Sequence, residues 1–88
     1  MSGQVGQYTP AQNNTYTLLK QLFAGRQYTS VIKSAKQFLQ MNKQHPDNRL
    51  FLLIAYSYTA LNEPDEAIGY FKMYISSTPE QMVQQKLM

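Results

Sequence analysis

The chain reads as an all-α stack of helical hairpins, and three observations say so. Apolar residues recur at spacings of three and four in four separate segments, the period that lines one face of an α-helix. Turn and cap residues punctuate those segments: Gly25, then Pro46-Asp47-Asn48, then Asn62-Glu63-Pro64. The two halves also repeat at an offset of 36. Leu18, Leu19 and Leu22 fall on Ile54, Ala55 and Tyr58, and Val31, Ile32, Ala35, Phe38 and Leu39 fall on Ala67, Ile68, Phe71, Tyr74 and Ile75. Repetition at this length marks hairpins that bury their apolar faces by stacking on one another.

Residues 1–12 contain Gly3, Gly6 and Pro10 without periodicity and are expected to form a flexible tail, with the helical domain covering 13–88. Asn13 or Asn14 is the expected cap of a first helix over 14–24, whose apolar stripe is Leu18, Leu19, Leu22 and Phe23. Gly25 is expected to end it in the left-handed conformation, which glycine adopts without a Cβ clash. The second helix is expected over 28–41, with Tyr28, Val31, Ile32, Ala35, Phe38, Leu39 and Met41 on one face and Lys33, Lys36, Gln40 and, just beyond it, Lys43 on the other.

The third helix, expected over 48–61, is apolar almost all round from Leu50 to Leu61, so it should be covered on several sides. Asn62 suits a left-handed cap. Pro64, Asp65 and Glu66 suit the first turn of a fourth helix over 64–77, where negative charge meets the positive end of the helix dipole. Ala67, Ile68, Phe71, Tyr74 and Ile75 are expected to face inward there. The run Thr78-Pro79-Glu80-Gln81 is a start signal for a short last helix over 79–87, with Thr78 as cap, Pro79 at the first helical position and Gln81 closing a capping box.

Eighty-eight residues suffice for one small domain, marginal by size alone. The absence of Cys excludes disulfides and thiolate metal sites. The longest purely apolar run, Leu50 to Tyr56, is far too short to span a membrane. No apolar signal-peptide core stands near the N-terminus, and the simplest expected location is the cytoplasm. Net charge is +3 and is unevenly placed. Residues 1–46 hold five cations and no acid, while residues 47–88 hold three cations against five acids, about +5 and −2. Such asymmetry steers an acidic partner, favours head-to-tail self-association, or is simply a solvated surface.

Residues 51–79 resemble a tetratricopeptide repeat, whose pattern is W-x2-L-G-x2-Y, A-x3-F and P. Phe51, Ile54, Ala55, Tyr58, Ala67, Phe71 and Pro79 stand at those positions. The resemblance implies a right-handed stack of two repeats plus a short C-terminal helix, and a role in binding other proteins. The chain departs from the pattern in its period of 36 rather than 34. It also carries the bulky Phe38 and Tyr74 where the family has small residues.

In this family the first helix of each hairpin lines a concave groove. The corresponding offsets fall on Asn13, Tyr16, Lys20 and Phe23, and on Arg49, Leu52, Leu53, Tyr56 and Thr59. Most are apolar or aromatic, and apolar groups exposed in a row mark an interaction site unless the terminal helix or a second copy of the chain covers them. Lys20 and Leu53 stand where a carboxylate clamp would carry Asn, so that mode of recognition is not expected. An apolar groove instead suits an amphipathic helix.

Nothing in the pattern supports an enzyme. His45 is the single histidine and sits in a turn, leaving a metal without a ligand set, and no cofactor motif is present. Asp65 and Glu66 are explained by the helix start, and Ser76 and Ser77 have no base in pattern. The expected function is therefore a protein-interaction module: a small chaperone or adaptor holding an amphipathic helix of a client. Its size and repeat count are similar to the chaperones of type III secretion needle subunits. The alternatives are a structural or self-associating piece, such as a homodimer, of a larger helical-repeat assembly, and a nucleic-acid binder using Lys33, Lys36 and Lys43 with Tyr28.

Overall fold

The structure, a computed structural model, describes residues 8–77 and is all-α over that span. Helix α1 runs Pro10–Ala24, α2 Tyr28–Met41, α3 Arg49–Ala60 and α4 Pro64–Ser77. The second and fourth helices have the expected bounds, and the third is one residue shorter at each end. The helix expected over 79–87, with its Thr78 cap, lies outside the described residues.

The first helix starts earlier than its expected Asn13 or Asn14 cap. Thr9 is the N-cap: its Oγ1 accepts the Gln12 backbone N–H at 3.0 Å, and Gln12 Oε1 accepts the Thr9 N–H at 2.9 Å. Pro10 occupies the first helical position, where its missing N–H costs nothing. Residues 10–12 therefore belong to the helical domain rather than to a tail.

Both hairpins turn by the same backbone bonds, 36 residues apart. Gln27 N–H donates to the Leu22 carbonyl at 2.9 Å, and Glu63 N–H to the Tyr58 carbonyl at 2.8 Å. Arg26 N–H donates to Phe23, and Asn62 N–H to Thr59. This is the paired bonding of a Schellman C-cap, which needs one left-handed residue. Arg26 at φ 63° and Asn62 at φ 64° supply it. Gly25 does not: its φ is −85°. The repeat thus extends from sequence to backbone geometry, and it settles the register of α1 against α3.

The core gathers Leu19 from α1, Val31, Ile32 and Ala35 from α2, and Leu50, Leu53 and Ile54 from α3. Helix α3 packs against all three others, as its all-round apolar surface requires. Ala67 is the one fully buried residue of α4 and lets that helix approach closely. Several expected inward residues face solvent instead: Leu18 on α1, Met41 on α2, and Ile68 and Ile75 on α4.

Candidate functional site

The groove positions expected on α1 and α3 separate into two different environments. At the start of α3, Arg49 is bonded through Nε and Nη2. Its Nε and Nη2 donate to Asp47 Oδ1 and Oδ2 at 2.9 and 2.7 Å, and Nη2 also donates to Asn13 Oδ1 at 3.1 Å. The guanidinium lies between two rings, 3.7 Å from the Tyr8 centroid and 4.1 Å from that of Tyr16. Lys20 Nζ sits 4.6 Å from the Tyr16 ring. Cation and aromatic thus alternate along this face, each ring's negative π-face meeting a positive charge.

This cluster fastens the first turn of α1 to the loop before α3. Tyr8 donates its hydroxyl to Asn48 Oδ1 at 2.7 Å, and Gln12 Nε2 donates to the His45 carbonyl at 2.8 Å. Asp47, wholly buried, also accepts the Arg49 backbone N–H at 3.0 Å and so caps α3 from one residue before the cap position. The hydrogen bond and charge of Asp47 hold the Arg49 guanidinium above its usual pKa. Burial, then the Asp47 charge, raises the Tyr8 phenol. Asn13, Tyr16, Lys20 and Arg49 are therefore brought together as expected, but as a bonded polar and aromatic cluster rather than an open apolar wall.

Two expected groove residues are spent on packing. Leu53 is 7% exposed and belongs to the core, a correction to its place in the groove. Phe23, half-buried, meets the Tyr28 ring edge-on at 5.3 Å. The remaining positions, Leu52, Tyr56 and Thr59, share one face of α3 at spacings of four and three. Leu52 is half-buried; Thr59 is exposed, with its hydroxyl donating to the Ala55 carbonyl at 2.9 Å. Tyr56 is 48% exposed and meets Phe71 of α4 edge-on, ring centroids 5.3 Å apart.

That contact joins α3 to a stripe on α4 that pattern reasoning placed inside. Ile68 is 52% exposed and Ile75 59%. At about 100° per residue, both lie roughly 80–100° round the helix from the buried Ala67, with Phe71 at about 40°, between Ala67 and the two isoleucines. The apolar arc of α4 is wider than the surface α3 covers, and no other helix among the described residues covers its outer edge. The signal was present in the sequence as two overlapping stripes, 67-70-74 and 68-71-75, of which a single partner helix covers one.

Among the described residues no group of three His, Cys, Asp or Glu side chains could hold a metal ion, and no helix is long and apolar enough to cross a membrane. Comparisons with family models, with curated proteins and with solved structures find no match to this chain.

Proposed function

We propose that this chain is a protein-binding module that holds an amphipathic helix of a client against the face formed by Tyr56, Ile68, Phe71 and Ile75. The exposure of two isoleucines two helical turns apart, beside an aromatic pair, carries this reading. Apolar side chains at i and i+7 match anchors at the same spacing on a second helix. The repeated hairpin turn supports a tetratricopeptide-like stack, in which the α4 face of such a hairpin packs on a further helix. A small chaperone or adaptor is the role that fits such a module, a needle-subunit chaperone of type III secretion being one example.

The test is capture of a client by the tagged full chain from its native extract, compared with the variant Tyr56→Glu/Ile75→Glu. Both positions are about half exposed, so helicity should persist while the client is lost. Equal client recovery by the variant would overturn the reading.

Uneven charge favours a second reading, self-association as a structural piece. The acids Asp65 and Glu66 open α4, while the first hairpin carries cations without acids. Under that reading the chain alone runs at dimer mass or higher, and does so less as salt rises.

A further inference from the structure

A second surface lies on the other flank of α4. Two adjoining hollows, of about 420 and 400 Å³, open between α2, the loop before α3 and the later turns of α4. They share a floor of Pro46, Phe51 and Met73. Lys36 and Lys43 border the first and Lys72 the second, and among the described residues no acidic one lines either. Met73 sits roughly 160° round α4 from Ile75, so this floor is separate from the stripe described above.

The charge here is unbalanced. Asp47 is committed to Arg49, and among the described residues neither Lys43 nor Lys72 has an acidic partner. Glu63, Asp65 and Glu66 belong to the opposite end of α4. Lys36 Nζ donates to the Tyr58 hydroxyl at 2.7 Å and faces the Tyr58 and Tyr70 rings at 5.2 and 5.6 Å. That bond raises its pKa and keeps it protonated. Lys36 and Lys43 from the acid-free first half thus join Lys72 around an exposed thioether and a phenyl ring.

We propose that this groove binds an acidic peptide segment carrying one bulky apolar residue, which seats on Phe51 and Met73 while its carboxylates meet Lys36, Lys43 and Lys72. Methionine suits such a floor, because its unbranched chain adapts to differently shaped anchors. Charge complementarity sets orientation and encounter rate, and the desolvated anchor supplies most of the affinity. A nucleic acid fits less well. The Tyr58 and Tyr70 rings stack on each other at 5.9 Å rather than standing free for bases, and the shared floor is apolar.

The probe is a fluorescent, end-blocked peptide of glutamates flanking one Leu-Phe pair, with a control in which both apolar residues are serine. Anisotropy is read with the full chain. The Leu-Phe peptide is expected to bind and to weaken with salt. The serine control, Met73→Glu and Lys43→Glu/Lys72→Glu should each lose at least about tenfold in affinity. Tyr56→Glu should leave it within about twofold, which separates this groove from the client face. Met73, Lys43 and Lys72 are exposed, and unchanged circular dichroism and thermal melting verify that those variants fold. Equal binding of the serine control, undiminished affinity of Met73→Glu, or tighter binding of a single-stranded oligothymidine would overturn the proposal.

Discussion

Residue 26 shows how a single backbone conformation is read incorrectly from composition. Gly25 next to the end of a helix points to a left-handed cap, yet the left-handed residue is Arg26, one place later. A non-glycine residue there costs about 1 kcal/mol or more. Arg26→Gly is therefore expected to raise stability by about 0.5–1 kcal/mol in urea unfolding. Gly25→Ala should be neutral to stabilising by a similar amount, since a Cβ there meets nothing closer than 3.6 Å. Marked destabilisation by Gly25→Ala would contradict this assignment of the cap. At Asp47 the stakes are higher. Its side chain is fully buried and its charge is answered by Arg49, so Arg49→Ala strands a buried carboxylate and should cost about 3 kcal/mol in the same measurement. Alkaline pH acts on two further groups. Tyr8 and Lys36 both have raised pKa values in the folded chain. Their contributions are fully present below the unfolded values of about 10 and are lost as pH rises through the folded ones. The melting temperature should hold level between about pH 7 and 9 and fall above about pH 10, a fall that Tyr8→Phe blunts.

At the scale of elements, the helix bounds of α2 and α4 were legible because caps and periodicity agree there. The start of α1 was not. Thr9-Pro10-Ala11-Gln12 carries the same cap, proline and capping-box residues as Thr78-Pro79-Glu80-Gln81, but the glycines before it and Asn13-Asn14 after it suggest a later start. A local signal of two reciprocal hydrogen bonds outweighs the composition around it. The candidate site was half legible. Tyr56, Thr59, Tyr16, Lys20 and Arg49 were singled out by the groove offsets that the family resemblance implies. The place of Leu53 in the core and the exposure of Ile68 and Ile75 depend on how closely α3 and α4 approach, which spacing alone does not encode. Ala67 controls that approach. Ala67→Leu should crowd the hairpin and lower stability by about 1–3 kcal/mol in thermal unfolding, with the larger loss expected because Ala67 is 3% exposed.

For the whole molecule, the repeated turn means that two hairpins are built alike but placed differently. The first is sealed by the second on one side and by the Tyr8–Arg49–Tyr16 stack at its start. In the second, most of α3 is buried, while Ile68 and Ile75 of α4 stand half exposed. On the proposed reading, a client seated on Ile68 and Ile75 contributes to the fold itself. A client at 100 times its dissociation constant adds about 2.7 kcal/mol. Amide hydrogen exchange of the chain, alone and with its captured client, tests the central claim most directly. Slowed exchange confined to α4 and to the part of α3 around Tyr56, absent in Tyr56→Glu/Ile75→Glu, is the expected result. Protection centred on Tyr16, Lys20 and Arg49, with α4 unchanged, would contradict it and return the client to the α1 side of the stack.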